Sequence, residues 1–146
     1  MTRDELCARI PHAGSLCLID RVTAWDEDRI QCSTQTHHDP ANPLRRDGHL
    51  WAVHLIEYAG QAAALHGALA RCKPEDAEGP RTLLAAVSSV ELDVRFLDIL
   101  DGPLDIFAVR ELSSSRNAIY RFSAAAPGQS VGRGRFVVMS MHRAEA

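Results

Sequence analysis

The spacing of apolar positions first predicts a pair of strands. Residues 29–36 alternate apolar side chains, among them Ile30 and Cys32, with polar ones, and this two-residue period is typical of a half-buried strand. An apolar segment precedes them at residues 16–22, and the polar stretch 25–28 lies between the two. A hairpin is the simplest connection of these segments.

The same spacing then predicts two helices. Thr2 and Glu5 form a capping-box pattern, so a short helix is expected over residues 3–9. A second helix is predicted from residue 50 to about residue 71, and it is apolar on nearly all sides, which is typical of a buried helix. It is rich in alanine and glycine, including Gly60, and a glycine inside a helix costs up to about 1 kcal/mol. We therefore expect a neighbouring layer to pack tightly against it.

The remainder of the chain predicts a sheet. A charged loop at 73–80 precedes four candidate strands, the first with a bulge at Ser88–Ser89: 83–96, 104–112, 118–125 and 131–141. The last three are separated by short turns and should form an antiparallel meander. The expected fold is α+β, an antiparallel sheet wrapped around one long central helix, and 146 residues predict a single domain over 1–146.

Composition and charge exclude several classes of function. A net charge of −3 and a pI of about 6.1 argue against a nucleic-acid-binding protein. No apolar run approaches the roughly 18 residues of a membrane span, and the charged N-terminus does not resemble a secretory signal, so a cytoplasmic protein is expected. Four cysteines without a C-x-x-C pair predict free thiols and no zinc site: Cys7, Cys17, Cys32 and Cys72.

One carboxylate lies within the apolar pattern of the long helix. Glu57 is flanked by apolar residues, and an ionised group that is buried without partners is costly, so it shifts its pKa or gains hydrogen bonds. His54, three residues earlier, and Gln61, four residues later, share its side of the helix. Glu57 is therefore a candidate general acid or base. A structural carboxylate, reaching solvent or paired with an arginine, is the alternative interpretation.

A second set of candidates lies in the segment between hairpin and helix. Residues 37–48 have no periodicity and contain two prolines and a glycine, which predicts an unusually long loop of the kind that often carries function. His37 and His38 open this loop, and an imidazole suits proton transfer near neutral pH. Together with Asp39 and Glu57 they lack any specific metal-ligand spacing, so no metal is expected. The remaining histidines of this region are interpreted as helix-face or interface residues: His49, His54 and His66.

Three segments carry a resemblance to a known family. Ile10-Pro11-His12, the stretch 16–22 and the helix sequence 56–62 resemble the 3-hydroxyacyl-[acyl-carrier-protein] dehydratases of the hot-dog fold. More narrowly, residues 37–45 together with 56–59 are similar to the divergent dehydratases of aryl polyene biosynthesis. The resemblance extends more weakly through the terminal strands.

The resemblance implies a mechanism without a cofactor. Such proteins pair edge to edge as dimers, and a histidine of one subunit and a helix carboxylate of the other eliminate water from a 3-hydroxyacyl thioester. Glu57 matches the acid and Gln61 the polar residue one turn later. The helix start after Gly48 would stabilise enolate charge. The implied partner is an acyl carrier protein with a phosphopantetheine thioester, and His54, Asn42 and Arg45 are the further candidates for substrate binding.

The chain also departs from that family. The usual loop contains Gly-His-Phe-Pro, whereas this chain has Asn42-Pro43-Leu44-Arg45 in the region, and no histidine aligns cleanly. His37 is the first candidate replacement and His38 the second. A non-catalytic or half-site subunit whose hot-dog partner supplies the histidine is an open alternative, so both a homodimer and a heterodimer are possible. An acyl thioesterase is the third interpretation.

Overall fold

The computed structural model describes Glu5, residues 17–71 and residues 81–141. The predicted helix over 3–9 lies outside these residues except for Glu5, whose backbone is helical. The predicted loop 73–80 also lies outside them.

The described residues form six strands, one α-helix and two short 3-10 helices. The strands are β1 Arg21–Trp25, β2 Arg29–Thr34, β3 Arg81–Leu92, β4 Leu104–Ser113, β5 Asn117–Ala126 and β6 Gln129–Met141; the α-helix is α1 Leu55–Arg71; the 3-10 helices are Thr36–His38 and Ala52–His54. All neighbouring strands are antiparallel, in the order β1-β2-β4-β5-β6-β3. The hairpin, the meander and the sheet around one helix are thus confirmed.

The strand β3 is shorter than predicted at its end. It stops at Leu92 instead of residue 96, because the chain leaves the sheet and Phe96 forms an isolated bridge with Trp51. The predicted bulge is confirmed: Ser89 has a φ of 54°, and the register with β6 shifts between Ser88 and Glu91.

The helix α1 begins five residues later than predicted. Leu50 and Trp51 continue the apolar pattern of the helix, but their backbone pairs with a distant segment instead. The Leu97 N–H donates to the Leu50 carbonyl at 2.7 Å, and the Ala52 N–H donates to the Arg95 carbonyl at 2.9 Å. These bonds hold Trp51 extended, at ψ 144°, so helical geometry starts only at the 3-10 helix that follows it.

The sheet covers only part of α1. The helix packs against β2, β4 and β5, and Tyr58, Ala59 and Leu65 are fully buried there. Another side of the helical segment is half-buried or exposed, and we call it the open stripe: Val53, Ile56, Glu57, Gly60, Gly67 and Ala68. A Cβ built on Gly60 would meet nothing within 4 Å. The expectation of tight packing around the helix is therefore wrong at this glycine.

A buried histidine joins α1 to the sheet. His66 is fully buried, with Nδ1 2.6 Å from the Tyr120 hydroxyl and Nε2 2.9 Å from the Asp26 carbonyl. Because the carbonyl can only accept, Nε2 carries the proton and the Tyr120 hydroxyl donates to Nδ1. Burial lowers the pKa of His66 and outweighs the opposing effect of the Asp26 carbonyl. This interaction therefore depends on a neutral imidazole.

The cysteines differ from one another. Cys32 is a free, buried thiol, and burial raises its pKa to about 12. Cys17 is disulfide-bonded, so the prediction of free thiols is wrong for this residue. Cys7 and Cys72 lie outside the described residues.

Two glycine substitutions should change stability in opposite directions. A Cβ on Gly132 in β6 would lie 2.9 Å from both the Glu91 carbonyl oxygen and Leu55 Cδ2. Gly132→Ala should therefore lower the free energy of unfolding by about 1–3 kcal/mol. Gly60→Ala, in open space, should raise it by up to about 1 kcal/mol through helix propensity. Urea unfolding measures both, and a stabilising Gly132→Ala would contradict the described contact.

The stability of the protein should fall on acidification below pH 6.5, the ordinary pKa of histidine. Since the folded state lowers the pKa of His66, its contribution is complete above that pH and is lost as the pH falls towards the folded-state value. His66→Gln should be less stable at pH 7 and should lose less of its remaining stability between pH 7 and pH 5. Urea unfolding at both pH values is the measurement, and equal losses in the two proteins would exclude this role.

Candidate active site

The carboxylate of Glu57 is held by the next turn of its own helix. Glu57 is half-buried on the open stripe, whereas Gln61 is only 2% exposed. The Leu18 N–H donates to Gln61 Oε1 at 2.7 Å, so the amide nitrogen of Gln61 must face the other way, and it donates to Glu57 Oε1 at 3.5 Å. A backbone group that precedes β1 thereby orients the amide, and the amide orients the carboxylate.

A buried polar network connects α1 to the long loop. The Tyr58 hydroxyl lies 2.9 Å from Thr36 Oγ1 and accepts from Asn42 Nδ2 at 3.2 Å. Asn42 Nδ2 also donates to the Thr36 carbonyl, and its Oδ1 accepts from the Leu44 N–H. Burial raises the pKa of Tyr58 and outweighs these two side-chain contacts, so its hydroxyl stays neutral. In this structure Asn42, a predicted substrate contact, uses its amide to shape the loop.

The first predicted base, His37, is enclosed in the protein. Its side chain is 0% exposed, and Nε2 lies 3.1 Å from the Gly102 carbonyl. Nδ1 is buried and has no hydrogen-bond partner. Burial, followed by the neighbouring His38, lowers the pKa of His37 to about 4. A neutral ring with a buried lone pair has no route to a substrate unless the loop moves.

The second predicted base, His38, faces the same region. Its ring centroid lies 3.9 Å from that of His37, and its Nε2 is 2.5 Å from the Leu100 carbonyl. Both rings of the pair thus bind backbone carbonyls of the segment 100–102. Segment 100–102 directly precedes β4, so both rings lie near the start of that strand.

The side chain of Arg45 fastens the loop internally. Its guanidinium nitrogens donate to the carbonyls of Asp39 at 2.8 Å, Gly48 at 3.3 Å and His37 at 3.3 Å. These three hydrogen bonds to backbone oxygens stabilise the conformation of residues 37–48. The predicted substrate-binding role of Arg45 therefore competes with a structural one.

The predicted anion site at Gly48 has a different geometry. Asp47 and Gly48 have φ values of 53° and 78°, and Arg46 and His49 exchange both backbone hydrogen bonds around them. This is a two-residue hairpin of the kind that Asp-Gly favours. Gly48 lies seven residues before α1, and the Ala52 N–H already donates to the Arg95 carbonyl. The backbone N–H groups of these two residues therefore do not form an anion site at the start of the helix.

The Asp47–Gly48 hairpin places His49 beside the carboxylate of Asp98. His49 Nδ1 lies 3.2 Å from Asp98 Oδ2, and the other carboxylate oxygen accepts from the Leu50 N–H at 2.9 Å. Burial tends to raise the pKa of Asp98, but the hydrogen bonds from Leu50 and His49 prevail, and its pKa is lowered. The ring of His49 stacks on Phe96 with centroids 4.2 Å apart. The sequence predicts His49 as a helix-face or interface residue, and no local pattern indicates Asp98 as its partner.

One imidazole lies in the electrostatic field of Glu57. Burial lowers the pKa of His54, the charge of Arg46 lowers it further, and Glu57 opposes both. His54 is half-buried just before α1, on the side predicted from its spacing to Glu57. The structure thus brings together Glu57, Gln61 and His54, whereas His37 and His38 bind to carbonyls elsewhere.

The described residues contain neither a metal-binding cluster nor a membrane-spanning helix. Within 17–71 and 81–141, no group of three histidine, cysteine, aspartate or glutamate side chains is arranged to hold a metal ion. No helix in that part of the chain is long and apolar enough to cross a membrane.

Comparison with known proteins places the fold and the family. Residues 5–146 match the family described as ApeP-like, ApeP dehydratase. The dehydratase heterocomplex ApeI:P from Xenorhabdus doucetiae is 19% identical, with a TM-score of 0.81, and the match covers 96% of this chain and 93% of that chain. Thioesterase HI1161 from Haemophilus influenzae is 15% identical, with a TM-score of 0.65 and coverage of 98% and 92%. No curated protein matches the chain by sequence.

The structural likenesses confirm the predicted hot-dog fold. The family match includes all of the candidate site residues and nearly the whole chain. The chain therefore belongs to the ApeP-like dehydratase family.

Proposed function

We propose that this protein eliminates water from 3-hydroxyacyl thioesters and that Glu57 is its acid. The observation that carries the proposal is the position of the Glu57 carboxylate on the open stripe, where the buried Gln61 amide fixes its orientation. A carboxyl group that is half-shielded from water and held by a rigid donor can transfer a proton without reorganisation.

The reaction needs one base and one acid. A base removes the proton from C2 of the acyl chain, the C2–C3 double bond forms, and the C3–O bond breaks. Glu57 donates a proton to the departing hydroxyl, which leaves as water. The products are an enoyl thioester, a carboxylate and a protonated base, and transfer of that proton back to Glu57 restores the site.

The open stripe supports binding of an acyl chain. Gly60 lies one turn after Glu57, a Cβ there would meet nothing within 4 Å, and Val53, the first residue of the stripe, is 52% exposed. A channel that runs along this side of α1 would have an apolar wall with one carboxylate in it. Such a lining suits an apolar acyl chain with a hydroxyl near the thioester.

A carrier protein is the proposed source of the thioester. Arg46 and Arg95 are exposed near the start of α1, and Arg95 lies 5.6 Å from the ring centroids of Trp51 and Phe96. Acyl carrier proteins are acidic, so these two cations are proposed to meet the carrier. Arg45, which braces the loop, is not included.

We further propose that the chain works in a heterodimer with a second hot-dog subunit. Strand β3 is an edge of the sheet, and its exposed side chains include Val87 at 39% and Leu92 at 38%. An apolar edge strand invites pairing with another chain. The similar structure ApeI:P was solved as a heterocomplex, which favours two different subunits over a homodimer.

Glu57→Gln should abolish dehydration. The amide keeps the size and the contact with Gln61 but cannot donate a proton as a carboxylic acid does, so kcat should fall by about 10²–10⁴-fold. The assay follows enoyl thioester formation from 3-hydroxyacyl pantetheine, using the chain with any subunit that copurifies from its host.

Glu27→Gln, an exposed carboxylate at the turn between β1 and β2, is the matched control and should keep full activity. Undiminished turnover by Glu57→Gln would refute the assignment of the acid. Release of free thiol without an enoyl product would instead identify a thioesterase.

Val87→Lys should separate the subunits. A charge in the middle of the exposed part of β3 opposes edge pairing, whereas Leu112→Lys, at an exposed position near the end of β4, should not. Native mass spectrometry should show a dimer of two different chains for the unmodified protein and for Leu112→Lys, and monomers for Val87→Lys. A homodimer would contradict the heterodimer proposal, and a monomeric unmodified protein would contradict pairing itself.

A further inference from the structure

The pair formed by His49 and Asp98 is unlike the other histidine sites. Within 17–71 and 81–141, His49 is the one histidine that hydrogen-bonds to a carboxylate, and its side chain is 45% exposed. His37 and His66 are fully buried, and His38 bonds to a carbonyl through Nε2. Among the described histidines, His49 thus combines a hydrogen bond to a carboxylate with access to solvent.

The hydrogen bonds of Asp98 determine the tautomer of His49. One carboxylate oxygen accepts from the Leu50 N–H, and the other accepts from His49 Nδ1. The carboxylate is ionised, because its pKa is lowered, so Nδ1 is the donor and Nε2 of the neutral ring carries the lone pair. A carboxylate that holds an imidazole in this way also stabilises the imidazolium that forms when Nε2 takes up a proton.

The backbone around His49 is equally constrained. The Arg46 N–H donates to the His49 carbonyl at 2.8 Å, and the His49 N–H donates back at 3.0 Å across the Asp47–Gly48 turn. Phe96 stacks against one face of the ring at a centroid distance of 4.2 Å. A base held by backbone, ring and carboxylate contacts is preorganised for proton transfer.

His49 lies at the same end of α1 as Glu57. His49 precedes Leu55, the first residue of α1, by six positions, and Glu57 lies in the first turn of that helix. The hairpin is therefore beside the first turn of the helix, where the acid is located. The loop that lacks the usual histidine thus ends in an accessible one.

We propose that His49 is the base of the elimination and that Asp98 is its positioning residue, an inference that rests on the proposed function. Nε2 of His49 takes the proton from C2 as the double bond forms, and Glu57 protonates the leaving hydroxyl. The imidazolium is then stabilised by Asp98 until its proton is returned.

Removal and chemical rescue of the ring test this inference. His49→Ala should lower kcat by about 10²–10⁴-fold, and added imidazole should restore part of the rate, because the vacated position is open to solvent. Asp98→Asn should lower kcat at least tenfold with little change in KM, as expected for a residue that acts on the transition state. The exposed Asp28→Asn is the matched control and should behave as the unmodified protein.

Four outcomes would overturn the proposal. Turnover by His49→Ala within threefold of the unmodified protein, while Glu57→Gln is inactive, would remove His49 as the base and leave the proposed function intact. A loss in His49→Ala that imidazole does not restore would assign the ring a structural role, as would a change in KM alone in Asp98→Asn. If Glu57→Gln is also fully active, the proposed function itself fails.

Discussion

The helix α1 is covered by the sheet along one side only, and the candidate site depends on this asymmetry. Fully enclosed, the helix would have no place for a carboxylate, since an ionised group without partners is costly in an apolar core. Fully exposed, Glu57 would be solvated and hold no fixed orientation. The half-burial of the open stripe supplies an intermediate environment, and the buried Gln61 amide, anchored on the Leu18 N–H, sets the direction of the carboxylate.

The loop before the helix is positioned by buried polar groups rather than by apolar packing alone. Tyr58, which faces the core side of α1, carries a hydroxyl that meets Thr36 and Asn42 at the beginning of the loop. Asp98 binds the Leu50 N–H at the other end. Because an unpaired buried polar group costs more than a paired one gains, these contacts select one loop conformation. The loop and the first turn of α1 therefore form one structural unit.

Local patterns in the sequence were sufficient to predict the strands, the central helix and the proximity of Glu57 to Gln61 one turn later. The errors have a shared origin in contacts between distant segments. Leu50 and Trp51 fit a helical pattern, yet the bonds of Leu50 to Leu97 and of Ala52 to Arg95 hold the segment in extended geometry. Asp98 is 49 residues from His49 along the chain, so no spacing rule connects them.

Two features of the sequence bear on these errors of prediction. The pair Asp47–Gly48 favours a tight hairpin, and recognising it would have placed His49 in that hairpin, just before the predicted helix. Small residues in a helix indicate close approach, but they equally leave room for something else, and the open space at Gly60 is of the second kind. Whether a glycine marks contact or vacancy depends on the neighbouring layer, which the local sequence does not describe.

The contacts of Arg45 in the loop bear on the proposed position of the base. Arg45 lies in the region where relatives of the wider fold family are expected to carry a histidine. Its guanidinium donates hydrogen bonds to three backbone carbonyls of residues 37–48. A cation in that position stabilises the loop but cannot serve as a base, since arginine does not lose its proton in proteins. The same side chain lies 3.8 Å from Asp98, the partner of His49. An arginine that contacts both the loop and Asp98 restricts the surroundings of the His49 ring, and the proposed base therefore lies near the start of α1 instead of in the middle of the loop.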